Sequence, residues 1–257
     1  MSSPPHPDPP SAPPAPENPP WTGWDVLALA FLTIVCIFVF LFTETLLVQR
    51  LLYPAASLQE VGDFPLVKVG AQFLAYLALL IIMVILVKRG HRPFWRTLRW
   101  NWPQNWSAYL FAGLVLALGL QGLAHFLPMP RQLPIDQFFQ TAREAWALSL
   151  FGVTLAPLLE ELFFRGFLYP VLVRRVGIGL AIILTSLGFG LIHAPQLGRA
   201  WAPVLVVFLV GLALTITRAV TKSVARSLLI HAAYNGTISV LLFIASDGFR
   251  HLEKLNQ

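Results

Sequence analysis

The chain has 257 residues, of which 56% are hydrophobic and only 12% charged, with a formal net charge of +6. Soluble globular domains average about 25% charged residues, so this chain has too little polar surface for a water-soluble protein of its size. Its apolar residues come in blocks long enough to cross a bilayer, which excludes a disordered chain, a secreted disulfide scaffold and an ordinary cytosolic enzyme. The expected fold is an all-α polytopic transmembrane helix bundle.

Residues 1–20 hold ten prolines and no Lys or Arg. Such a segment cannot build a core and favours extended polyproline conformations, so it reads as a disordered tail. A signal peptide needs a basic start, whereas the first Lys or Arg is Arg50, so the first apolar block is expected to remain as a span. Seven apolar segments follow, at about 24–43, 66–87, 107–127, 146–172, 177–194, 201–219 and 226–245, each near the roughly 20 residues that cross hydrocarbon as helix. Trp21, Trp24, Trp100, Trp102, Trp106, Trp146 and Trp201 stand at their ends, where an aromatic belt sits. Ser186 and Gly190, four residues apart, allow close helix approach. Cys36 lies in an apolar run and reads as packing. The chain thus divides into a tail (1–20), N-terminal transmembrane helices (21–140) and a helical core that carries the unusual polar residues (141–250).

The loops give orientation. Lys88, Arg89, Arg92, Arg96, Arg99, Arg174, Arg175, Arg218, Lys222 and Arg226 fall on one side; Arg50, Lys68, Arg131, Arg143, Arg199, Arg250 and Lys254 fall on the other. The bias places the first set, and the N-terminus, in the cytoplasm. Topogenesis and anionic lipid headgroups account for the basic residues, so the expected partners are the bilayer and a peptide or protein substrate, not nucleic acid.

An ionisable group at mid-membrane costs at least about 2.5–3.5 kcal/mol, so each one needs a reason. In Leu155-Ala-Pro-Leu-Leu-Glu160-Glu161-Leu-Phe-Phe-Arg165-Gly166, two carboxylates and an arginine interrupt an apolar helix. Adjacent helical residues point about 100° apart, so Glu160 and Glu161 face different surroundings. Glu161 and Arg165, at i and i+4, are placed for an ion pair. Glu160 has no partner nearby in sequence. His193 closes a second apolar helix, and His231 and Asn235 share a face of a third. Gln121 and His125, also at i and i+4, read as a structural pair.

Glu160, His193 and His231 together form the ligand type of hydrolytic zinc sites, and equally a metal-free general base with its orienting partners. Either route activates water against an acyl carbon, with Asn235 able to steady His231 or donate to an oxyanion. Other designs fit poorly. His193 is followed by Ala-Pro-Gln-Leu and His231 by Ala-Ala-Tyr-Asn, so there is no HExxH; no aspartate lies deep in a span, and no Gly-x-Ser-x-Gly occurs. A proton-coupled transporter would use the same buried groups, but no paired halves with matching broken helices are visible.

Glu160-Glu161-x-x-x-Arg165, Phe189-x-x-x-His193 and His231-x-x-x-Asn235 resemble the signature of the CPBP intramembrane metalloproteases. That family includes type II CaaX prenyl endopeptidases and bacterial Abi proteins linked to bacteriocin processing or self-immunity. The resemblance covers roughly residues 145–245 and implies a membrane endopeptidase acting on a membrane-associated or lipidated, CaaX-like substrate, while the size of the chain and its lack of eukaryotic targeting signals point to a bacterial cytoplasmic membrane. It implies that Glu160 and His193 activate water, or bind Zn2+ together with His231, and that His231 and Asn235 form the oxyanion side. Glu161 and Arg165 match the motif as a supporting pair. A non-catalytic chaperone, scaffold or immunity factor would use the same pocket. Two departures stand out. Seven spans are counted where eukaryotic CaaX endopeptidases are expected to have eight. With the fifth span at 177–194, His193 falls near one end of the bundle and His231 near the other, more than about 10 Å apart in depth at 1.5 Å per residue.

Overall fold

The structure is a computed structural model and describes residues 18–252. All but the last three residues of the expected disordered tail at 1–20 therefore lie outside the described residues. Among the described residues there is no strand. Helix α1 (Gly23–Leu52) starts at a capping box in which Thr22 and Asp25 satisfy each other's backbone amides. A short α2 (Leu58–Gly62) leads to α3 (Pro65–Lys88), where proline takes an N-terminal position that needs no amide hydrogen. Then come α4 (Phe94–Thr97), α5 (Trp106–Ala124) and a 3-10 turn (Pro134–Phe138). The second half runs α6 (Ala142–Val153), α7 (Leu155–Glu161), a π-helical segment (Leu162–Leu168), α8 (Tyr169–Val176), α9 (Ile178–His193), α10 (Trp201–Thr221) and α11 (Val224–Ala245).

All seven apolar segments form helices, and six stretches are long and apolar enough to cross a membrane: α1, α3, α5, the composite Ala142–Val176, α10 and α11. The chain is a multi-pass membrane protein. The exception, α9, has 16 residues, about 24 Å of helix against a hydrocarbon core of about 30 Å. Its C-terminal end, where His193 lies, stops short of the far side.

Two prolines shape the composite span. Pro157 has no amide hydrogen for the Val153 carbonyl and its ring crowds that carbonyl, and the helix breaks at Thr154 (φ −115°, ψ −81°). Pro170 withholds the same bond from Gly166, and the preceding turns open into the π segment. Trp21, expected in an interfacial belt, is instead buried: its ring stacks on Phe167 at 4.4 Å and its Nε1 donates to the Phe167 carbonyl at 2.9 Å. The reason is this same segment, which offers an aromatic ring and a carbonyl where α1 begins. Trp24, Trp102, Trp106, Trp146 and Trp201 do stay exposed.

Small residues set the helix spacing around the polar core. A side chain on Gly113 would collide with the Ile230 carbonyl, so α5 and α11 touch backbone to backbone beside His231. Gly211 of α10 faces Ser186 of α9, and Gly190 packs against Phe208, as the small-residue spacing predicts. Gln121 and His125 form no side-chain hydrogen bond with each other among the described residues; Gln121 faces the cavity described next.

Candidate active site

Four helical elements bring the polar residues to one wall. α7 presents Glu160 and Glu161 on adjacent, differently directed positions. The π segment presents Arg165, α9 ends on His193, and α11 carries His231 two turns after its start. The expected separation in depth does not occur. Glu160 Oε1 lies 3.9 Å from His193 Nε2, and Glu160 Oε2 lies 3.7 Å from His231 Nε2. α9 ends within one residue of the expected boundary, so the separation closes through how the helices pack rather than through the length of α9.

Hydrogen bonds fix both imidazoles. His193 Nδ1 is 2.7 Å from the Phe189 carbonyl, which only accepts, so Nδ1 carries the hydrogen and Nε2 turns toward Glu160. His231 Nδ1 is 2.9 Å from Glu161 Oε1, so by the same logic its Nε2 also faces Glu160. The two adjacent glutamates therefore address His231 from opposite edges of its ring. One clamps the tautomer; the other meets the free nitrogen.

Glu161 and Arg165 are both fully buried and form the expected ion pair at 2.8 Å. The guanidinium also donates to the Gly211 carbonyl at 2.9 Å and to Thr215 Oγ1 at 3.2 Å, and lies 4.6 Å from the Phe189 ring centroid. A buried charge is tolerable only when paired and hydrogen-bonded in this way. Arg165 thus balances Glu161, and Glu160 is left facing the two imidazoles. Asn235 does not bond to His231; its Nδ2 donates to the Gly152 carbonyl at 2.6 Å, tying α11 to the end of α6.

Glu160, His193, His231 and Asn235 form part of the wall of an open cavity of about 480 Å³, with Glu161 and Arg165 behind it. Its lining is mostly apolar, and among the described residues it contains no Lys or Arg. Two polar residues in it escaped the sequence reading. Gln72 and Tyr76 of α3 line the cavity, Gln72 Nε2 donates to the Tyr76 hydroxyl at 3.1 Å, and that hydroxyl stands beside the Glu160 carboxylate. Their signal was an i, i+4 polar pair in an apolar span, the same signal that singled out His231 and Asn235.

Two imidazole nitrogens and a carboxylate suit a borderline cation such as Zn2+ by donor type. As positioned, however, no group of three or more His, Cys, Asp or Glu among the described residues closes into a metal cluster. The arrangement as it stands is a carboxyl group with two ordered imidazoles around it.

Residues 142–237 match the family described as Type II CAAX prenyl endopeptidase Rce1-like. No curated protein and no solved structure matches the chain. The resemblance to the CPBP family holds over that stretch, which contains all three motifs and points to a membrane protease of the CAAX-endopeptidase type.

Proposed function

We propose that this chain, whose residues 142–237 carry the match to the Rce1-like endopeptidases, is a membrane-embedded endopeptidase whose water is activated by Glu160. The observation behind this reading is the convergence of two hydrogen-bond-locked imidazoles on one carboxylate in the wall of an apolar cavity. A water about 2.8 Å from its partners fits off the axis between Glu160 and either ring. As its oxygen attacks the peptide carbonyl, Glu160 takes its proton, a C–O bond forms and the carbonyl electrons move onto oxygen. His193 Nε2 accepts the second hydrogen and orients the attack. Glu160 passes that proton to His231 Nε2, 3.7 Å away, and the imidazolium, stabilised by Glu161, delivers it to the amide nitrogen as the oxyanion collapses and the C–N bond breaks, the division of labour seen in acid–base triads. Asn235 uses one amide hydrogen on Gly152 and offers the other to the oxyanion.

A Zn2+ ion bound here would be held by Glu160, His193 and His231, and would polarise the carbonyl and acidify the water. No step above depends on it.

The cavity also has a side. Its lining includes residues of the 125–141 and 194–200 connections, at the end of the bundle away from the basic 88–99 loop. With the N-terminus and the basic loops in the cytoplasm of a bacterial cell, the cavity faces the opposite side of the membrane, and its substrate is a membrane-associated peptide presented there. The apolar lining suits a peptide with bulky apolar side chains or a lipid chain.

The test is hydrolysis of a quenched peptide library by the full chain in liposomes, alongside Glu160→Ala, His193→Ala and His231→Ala. Cleavage by wild type, lost in all three variants, is the expected result. Peptide binding without cleavage, unaffected by Glu160→Ala, would give the cavity a holding role instead. Repeating the assay with a chelator, then restoring Zn2+, separates metal-free from metal-assisted catalysis.

A further inference from the structure

A second pocket, of about 440 Å³, is walled by four arginines, Arg92, Arg96, Arg99 and Arg218, and by no acidic residue among the described ones. It lies at the opposite end of the bundle from the catalytic cavity. α10 contributes Pro203 through Val210 to that cavity and Arg218 to this pocket, and α3 contributes Tyr76 to the first before leading into Arg92–Arg99 at the second. The arginines come together because the α3–α5 connection is stitched to the α10–α11 turn: Val224 N donates to the Arg99 carbonyl at 3.1 Å and Ser223 Oγ to the Asn101 carbonyl at 2.5 Å. Arg218 is 1% exposed, with its guanidinium 5.4 Å from the Tyr169 ring centroid. Arg92 and Arg96 stand exposed on the rim, and no carboxylate among the described residues pairs with either. Trp95 and Trp102, both about half exposed, flank the same loop, as at an interface between headgroups and hydrocarbon.

We infer that this pocket binds a phosphate group, that of an anionic phospholipid headgroup in the leaflet that the basic loops face. Planar guanidinium forks match phosphate oxygens in a bidentate way that a solvated surface charge does not need, and basic pockets between transmembrane helices on the cytoplasmic side recognise headgroups by this chemistry. The donors that carry the inference are Arg92 and Arg96. This site is independent of the proteolytic reading.

The test is thermal unfolding of the full chain in a neutral detergent, titrated separately with short-chain phosphatidylglycerol, short-chain phosphatidylcholine and sodium phosphate. A saturable rise in melting temperature with phosphatidylglycerol, absent with phosphatidylcholine, assigns the pocket to an anionic lipid. An equal response to sodium phosphate assigns it to free phosphate. In either case Arg92→Gln/Arg96→Gln should weaken the apparent affinity by about fivefold for each arginine removed. If that variant folds poorly on its own, Arg92→Lys/Arg96→Lys keeps the charge and removes the forks, and should still weaken binding. The inference is overturned if no titrant saturates, or if both double variants respond like wild type. It is also overturned if binding emerges only in Glu17→Gln, which would make the chain's own tail, joined at Asn18, the occupant.

Discussion

In α1, Phe31, Ile34, Phe38 and Phe42 are each more than half exposed, whereas in the Leu155–Leu168 stretch Leu159, Leu162, Phe164 and Phe167 are exposed by 4% or less. Both lie in helical stretches long and apolar enough to cross a membrane, the second within Ala142–Val176. The first presents its large side chains outward and needs little from its neighbours beyond contact with α3. The second is enclosed by α3, α6, α9 and α11, and holds a charge pair that has no other place to be stable. The difference shows what the burial supports. Apolar packing around α7 encloses a polar network whose every link fixes the next, from Thr215 and Gly211 through Arg165 and Glu161 to His231.

If that contrast is right, removing one member of the enclosed pair should have the largest effect on stability. Arg165→Met leaves Glu161 as an uncompensated buried charge and should destabilise the protein by about 3–5 kcal/mol, measured by thermal or denaturant unfolding in detergent. Gly113→Ala forces α5 off α11 and should cost about 1–3 kcal/mol. Gly119→Ala on the same helix, with no atom beyond the neighbouring helix backbone within 4 Å of the added carbon, should be neutral or stabilise slightly by removing glycine's excess entropy. Tyr76→Phe keeps the ring and removes the hydroxyl beside Glu160. A hydrogen bond to a charged group contributes about 1.5 kcal/mol or more, so kcat/KM should fall about tenfold or more with little change in melting temperature. The smallest effect belongs to the exposed stretch: Phe38→Leu on α1 should change stability by less than about 0.5 kcal/mol. A large loss there would mean that α1 faces a protein partner rather than lipid.

Most of the helices were legible because length and apolarity are local properties, and each expected segment appears within a few residues, apart from α1, which runs on to Leu52. The ion pair between Glu161 and Arg165 was legible for the same reason, since i, i+4 spacing fixes it before any tertiary contact forms. What could not be read was depth. The distance from His193 to His231 depends on how α9 and α11 pack around α7 in three dimensions, which the bounds of the segments do not fix. Asn235 shows the same limit. Its position on the His231 face was correct, but its partner is a carbonyl that only becomes available because Pro157 ends α6 near Gly152. The role of Trp21 changed for a comparable reason, since the Phe167 ring and carbonyl that receive it belong to a distant π segment.

The central claim is that Glu160, and not its buried neighbour, activates the water. Single-turnover cleavage of a peptide identified from the library, by wild type and Glu160→Gln in the same liposomes, tests it most directly. The substitution preserves shape and removes the base. The account predicts a rate lower by about 10²–10⁴-fold with an unchanged melting temperature and unchanged peptide binding. A Glu160→Gln rate within about twofold of wild type would contradict it.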